Sequence, residues 1–322
     1  MKVYLGMDSS AYTTSLALVD ENYNIIADER IILQVGQGKR GLRQSEALFQ
    51  HIKNLPSLFA NLQFRLPGPV EAIAVSAFPR RIPGSYMPVF TASYSQAQVL
   101  SFFSGVPLFP VSHQEGHIMA GIKGNCVLMN RESFLAAHFS GGTSELLRVK
   151  WNEPGFMEIE SGLAGTDLHA GQLVDRVGVA MGLPFPAGRQ MEELAVNSKG
   201  NNTVSISAAV NYKGFSFSGA ENRAMQMLSE SVAREDIAYA VFRVIANTLE
   251  KALLKESGKT GIRDALLVGG VMANTLIRER LVERLEHPAV GLKLYFADAG
   301  LSTDNAVGVA MAAAYLSRKS EE

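Results

Sequence analysis

One cysteine, Cys126, stands in 322 residues. A disulfide framework needs pairs of thiols and a thiolate metal site needs several, so both are excluded, and the chain reads as a protein of the reducing cytoplasm. Charge of one sign is equally lacking: 30 Lys and Arg against 31 Asp and Glu leave a formal net charge of −1. No broad positive field attracts nucleic acid, so an RNA substrate would have to be held by local patches or by partner subunits. Long apolar runs are missing too; the stretch from Ala306 to Leu316 is too short to span a bilayer, which takes roughly 18 residues or more. The opening Met1-Lys-Val-Tyr-Leu-Gly-Met-Asp8 has no apolar segment followed by a small-residue cleavage site, and it reads as a first strand. What the chain has is 47% hydrophobic and 19% charged residues without low-complexity tracts, the composition of a globular protein with an ample core. Its length suits two domains of ordinary size.

The pattern predicts a strand at Val3–Met7, a small polar turn Asp8–Thr14, and a returning strand Ser15–Asp20. Further strands are expected near Ile25–Ile26 and Ile31–Leu33, then a basic loop with Gly36, Gly38, Gly41, Lys39, Arg40 and Arg43. Helical spacing covers Ser45–Leu62 and Thr91–Ser104, with a buried strand at Ala72–Ser76 between them. The plan then restarts. Ser133–Phe139 is a strand, Ser140-Gly-Gly-Thr-Ser144 a tight polar turn, and Glu145–Lys150 the strand returning from it. Helices are expected around Leu168–Met181, Glu221–Leu228, Ile237–Glu256 and Asn274–Leu285, with a strand at Asp264–Val268 and a last helix from Thr303 to Ser317. The expected domains are 1–112, joined by the C-terminal helix 303–322, and 113–302.

Five segments carry chemistry. His113 and His117 are four residues apart, so on a helical turn both imidazoles reach one ion; the alternative is a pair of surface or capping histidines. Glu115 lies between them, which is not the metalloprotease H-E-x-x-H order. The Asp8–Thr14 and Ser140–Ser144 turns are small enough for backbone amides to approach phosphate, or are plain hairpin connections. Asp175 on its helix either meets ribose hydroxyls or is an exposed acid. Asp304 supplies an oxygen ligand or caps the last helix.

Taken together and in order, these segments resemble the TsaD family, the threonylcarbamoyl-transferases of tRNA formerly called glycoproteases. The resemblance covers nearly the full length and rests on His113-Gln-Glu-Gly-His117, Phe139-Ser-Gly-Gly-Thr-Ser144, Ala170-Gly-Gln-Leu-Val-Asp175, Phe215-Ser-Phe-Ser-Gly219, Gly269-Gly-Val-Met-Ala-Asn274 and Thr303-Asp-Asn305. It implies an α/β fold of the actin-like, sugar-kinase-like and heat-shock-ATPase-like kind, with two duplicated domains around a nucleotide cleft. It also implies one divalent metal, Fe or Zn, on His113, His117 and Asp304. His138 is a further candidate ligand, standing where archaeal members carry a tyrosine ligand. Ser140, Gly141, Gly142, Asp175, Gly188 and Asn274 would line a site for an adenylate or ATP, with Ser9 and Ser10 of the first turn as catalytic candidates. The implied reaction is acyl transfer from threonylcarbamoyl-adenylate to the adenosine next to the tRNA anticodon. Its implied partners are tRNA, helper proteins of that pathway, and a second subunit of the same or another chain.

Several positions depart from the family pattern. The acidic pair of the first turn is replaced by Tyr12 and Thr13, and Thr143, Ser144, Glu145, Gln172 and Glu221 stand where the family has other residues. Phe78-Pro-Arg-Arg81 replaces a glycine-rich stretch and brings two cations. A nucleotide-binding paralogue without catalysis, a partner scaffold, or a carbamoyl transferase with another acceptor is the competing expectation.

Overall fold

The computed structural model describes residues 1–10, 12–35, 42–152, 156–198 and 204–321. Ala11 of the first turn and residues 36–41 of the expected basic loop lie outside these. Backbone proximity divides the chain into two compact units, Met1–Gly124 with Asn152–Phe156 and Gly300–Glu322, and Asn125–Trp151 with Met157–Ala299.

In the first unit β1 (Val3–Ser10), β2 (Thr13–Asp20) and β3 (Ile25–Ile32) form an antiparallel meander. Helices α1 (Gln44–Gln63) and α2 (Phe90–Ser104) flank β4 (Val70–Phe78) in the chain, and β5 (Leu108–Ser112) runs directly into α3 (His113–Ile122). β4 lies parallel to β1 and β5 parallel to β4, giving the order β3-β2-β1-β4-β5. All eight residues of β1 are buried, as a central strand covered on both faces requires. The two short strands expected around Ile25 and Ile31 are a single strand. Its interrupting charges Asp28 and Arg30 point the same way at i and i+2 and bond each other at 2.9 Å, so the edge strand runs on through them.

The second unit repeats the plan. β6 (Ser133–Phe139), β7 (Ser144–Trp151) and β8 (Met157–Ala164) form its meander. Then come α4 (Ala170–Ala180), α5 (Gly188–Val196), the short pair β9 (Ala209–Val210) and β10 (Phe215–Ser216), α6 (Ser218–Ser229), α7 (Arg234–Thr260), β11 (Asp264–Val268), α8 (Thr275–Leu285) and β12 (Lys293–Phe296). β11 and β12 add in parallel, so the sheet order is β12-β11-β6-β7-β8, the first unit's order read from the other edge. Helix α7 is the spine of this unit, with Ile237, Val241, Val244, Ile245, Leu249 and Leu253 all in the core. None of the described helices is long and apolar enough to cross a membrane.

The chain closes with α9 (Val307–Glu321), which belongs to the first unit and packs on β1, β4 and α3. It begins at Val307 and not at Thr303, because Asn305 accepts the Val307 N–H at 3.0 Å while its own amide bonds the Leu301 and Thr303 carbonyls. Asp304 is therefore released from capping. The seam between α9 and α3 is made of small residues: a Cβ on Gly308 would stand 1.9 Å from the Gly116 carbonyl oxygen. Gly308→Ala must push α9 off α3, and we expect a loss on the order of 2–3 kcal/mol in chemical unfolding. An unfolding midpoint equal to wild type would show that the seam yields freely.

Candidate metal centre and nucleotide cavity

The first-unit candidates gather where β5 turns into α3. Ser112 caps α3 in a reciprocal box, accepting the Glu115 N–H while Glu115 accepts the Ser112 N–H. That box fixes the first turn and sets His113 and His117 on one face. Buried Glu115 is also gripped by Arg81, Nε to Oε1 at 2.7 Å and Nη2 to Oε2 at 3.1 Å, so one of the two unexpected cations is committed to holding this helix.

The three side chains converge. His113 Nε2 and His117 Nε2 are 2.9 Å apart, and Asp304 Oδ1 lies 3.4 Å from the first and 3.3 Å from the second. Ligand atoms about 2.0–2.1 Å from a tetrahedral ion stand about 3.3 Å from one another, so the triangle fits a divalent cation with one position left open. Among the described residues these three are the one group of His, Cys, Asp or Glu whose ligand atoms are close enough to share an ion. Burial would keep His113 neutral, but Asp8 and Asp304 outweigh it and push its pKa up to about 10. Asp304 is held well below the usual carboxylate range, burial being overcome by hydrogen bonds from His113 and His117 and by their charge. His138 sits near the end of β6, in the second unit.

Ser9 and Ser10 are fully buried on β1. Ser9 Oγ donates to the Val89 carbonyl at 2.9 Å and lies 2.7 Å from Ser93 Oγ, tying β1 to α2. Ser10 gives both its N–H and its hydroxyl to Asp8. Behind them Asn54 donates to Thr14 Oγ1, which also lies 2.8 Å from His51 Nδ1. His51 is buried, and that burial lowers its pKa to about 4 despite the pull of Asp8.

Four of the second-unit candidates line a cavity of about 350 Å³, while Ser140, Gly142 and His138 are not among its lining residues. Gly141, Asp175, Gly188 and Asn274 line it, together with Gly171, Glu192, Phe242 and Gly270. The turn after β6 closes on itself, Ser140 N–H bonding the Thr143 carbonyl at 2.8 Å and Ser140 Oγ accepting the Gly142 and Thr143 amides. Gly171 at the start of α4 presses directly on this turn; a Cβ there would meet Gly141 at 2.7 Å. Asp175 Oδ1 accepts the Ala187 N–H at 2.8 Å and so anchors the segment before α5. Asn274 Oδ1 caps α8 through the Ile277 N–H at 3.0 Å, while its buried Nδ2 has no partner among the described residues.

Three contributors escape the motif reading. Asp8, a lone carboxylate inside an otherwise uncharged strand, accepts His113 Nδ1–H at 3.1 Å; an acid in a buried strand is itself a signal, since uncompensated burial is costly. Arg81 reads as surface but grips Glu115. Glu192 fixes Oε1 on the Thr275 N–H and hydroxyl at 2.7 and 2.6 Å, and no spacing in the sequence marks it as part of the cavity.

The doubled sheet plan is shared with solved structures of actin-like and sugar-kinase-like proteins. HypF from T. kodakarensis matches 98% of this chain and 48% of its own with a TM-score of 0.62 at 15% identity. A ROK family glucokinase from Streptomyces griseus matches 97% of this chain and 99% of its own with a TM-score of 0.53 at 11% identity. That places the fold in the actin-like, sugar-kinase-like class. Sequence narrows it further. The family model for tRNA N6-adenosine threonylcarbamoyltransferase matches residues 37–311. A protein of that name from Sulfurihydrogenibium sp. (strain YO3AOP1) is 30% identical over 323 residues, covering 96% of this chain and 88% of the relative. Its namesake from Bacillus subtilis (strain 168) is 29% identical with the same coverage. The chain belongs to the tRNA N6-adenosine threonylcarbamoyltransferase family.

Two measurements probe these sites. His113→Ala combined with His117→Ala is expected to leave the purified protein without stoichiometric metal in elemental analysis; metal content equal to wild type would remove the pair from the centre. For His51 the folded pKa lies below the unfolded one, so its contribution is complete above the unfolded value and is lost as pH falls towards the folded one. Between about pH 7 and pH 4 that loss is on the order of 3 kcal/mol. His51→Leu should flatten the acid limb of unfolding free energy against pH, and an unchanged slope would exclude His51 as its source.

Proposed function

We propose that this chain transfers a threonylcarbamoyl group from threonylcarbamoyl-adenylate to the adenosine beside the tRNA anticodon, with a divalent metal, Fe or Zn, held by His113, His117 and Asp304. The observation that carries the proposal is the ligand triangle of 2.9, 3.3 and 3.4 Å in a chain of this family. The metal, when bound, supplies Lewis-acid polarisation of an acyl oxygen. The remaining work falls to the chain.

The adenylate belongs in the second-unit cavity. There Asp175 offers the oxygen not engaged by Ala187 to ribose hydroxyls, and Asn274 offers an unspent Nδ2 donor. The small turn Ser140–Gly142 gives close approach to the phosphate. In the reaction the exocyclic amine attacks the carbamoyl carbonyl, the new N–C bond forms, AMP leaves with the electron pair of the broken C–O bond, and the amine gives up one proton to solvent. Orientation is the main contribution such residues make. With a formal charge of −1 the chain lacks a strong field for tRNA, which supports helper proteins as part of the working enzyme in the cytoplasm. Ser9 and Ser10, with hydroxyls committed to Val89 and Asp8, support the site from within the sheet.

The test is a transferase assay with threonylcarbamoyl-adenylate and unmodified tRNA, with and without pathway partners. Modified adenosine is the expected product. Asp175→Ala should weaken adenine-nucleotide affinity about tenfold or more by calorimetry, as loss of a charged hydrogen bond implies. Nucleotide binding without product under every condition would favour the scaffold reading, and unchanged affinity in the variant would remove Asp175 from the pocket.

A further inference from the structure

We propose that Asp8 is the positioning residue of the metal centre: it dictates which nitrogen of His113 is available to the ion. The inference rests on the reading of His113, His117 and Asp304 as ligands. Asp8 is not one of the grouped ligand side chains, so it acts through His113.

The two carboxylate oxygens of Asp8 have separate duties. Oδ1 accepts His113 Nδ1–H at 3.1 Å, and Oδ2 accepts the Ser10 N–H at 3.2 Å and the Ser10 hydroxyl. The residue is fully buried on a strand whose eight residues are all buried, so neither oxygen turns to solvent. With one proton held on Nδ1 by Asp8, Nε2 is the His113 nitrogen that faces His117 Nε2 and Asp304 Oδ1 and the one that would give up its proton to an ion. A carboxylate behind a histidine ligand fixes tautomer and ring orientation and raises ligand basicity. Ser10 completes the relay: its two donors occupy Oδ2 and keep Oδ1 on the histidine.

This arrangement makes an unusual prediction about the near-isosteric variant. In Asp8→Asn the amide oxygen must stay with the two Ser10 donors, which places the NH2 group against His113 Nδ1. That nitrogen can then only accept, the ring proton moves to Nε2, and the lone pair meant for the ion is capped. Asp8→Ala removes the support without imposing the wrong tautomer. A residue that mattered only for packing would rank the other way, since alanine leaves the larger void.

The experiment is Zn2+ titration by calorimetry and Co2+ titration by visible absorption on the metal-free full-length chain. Wild type, Asp8→Asn, Asp8→Ala, Asp8→Ser and His113→Ala are compared, with thermal unfolding of each to establish that it is folded. Asp8→Ser stands in if the alanine variant fails to fold. The expected order is wild type tightest, the alanine or serine variant weaker by about 10- to 100-fold, and Asp8→Asn weaker still. Asp8→Asn binding as tightly as wild type, or no more weakly than Asp8→Ala, overturns the proposal while the metal reading stands. If wild type takes up neither ion, or His113→Ala binds as wild type does, the metal reading fails and carries this inference with it.

Discussion

Close backbone approach between α9 and α3 is the constraint on which the candidate metal centre depends. His113 and Asp304 are 191 positions apart in the chain, and nothing local holds them together. They meet because Gly308 presents no side chain to the Gly116 carbonyl, on a helix whose buried face is rich in alanine, Ala310, Ala312, Ala313 and Ala314, beside the larger Val309 and Met311. Packing of this density transmits position faithfully. The Asn305 staple then sets the last turn before the helix, so that Asp304 stands out from it within reach of both imidazoles.

The two units share a strand plan but not a chemistry. In the first, the two strands that flank the turn are loaded with buried polar groups, Asp8, Ser9 and Ser10 on β1 and Thr14 and Ser15 on β2, most of them knotted to one another or to His51, Ser93 and His113. Such a network is rigid only when satisfied. In the second, the matching turn is reduced to Ser140 and two glycines, and α4 leans on it through Gly171. One copy of the plan has invested in titratable side chains and the other in bare backbone. A cation and a phosphate ester would be served by those two choices respectively.

Much of this was legible in the sequence because the relevant signals are local. H-x-x-x-H is a statement about a helical turn, Gly269–Asn274 ends in a cap residue, and the strands of both meanders follow from their apolar runs. The misreadings have physical causes. Two short strands are expected where one runs, because the charges Asp28, Glu29 and Arg30 interrupt the apolar pattern while Asp28 and Arg30 pair along one face of a continuous strand. The final helix was begun at Thr303 because Asp304 is as good a cap chemically as Asn305, and only the backbone path decides between them. The roles of Asp8, Arg81 and Glu192 do not follow from local pattern, since each acts on something distant in sequence: His113, Glu115 and Thr275.

Asn274 carries two obligations on one small side chain. Its oxygen starts α8, and the residue lines the cavity with a buried nitrogen that no described residue engages. Most helix starts are forgiving, since serine, threonine, aspartate and asparagine exchange there at little cost. This one is not. Aspartate would keep the helix but turn a donor into an acceptor beside the proposed nucleotide site, and serine would keep the helix but lose the donor. Architecture and recognition are thus fused at a single amide, and drift that would be silent at other helix starts is audible at this one.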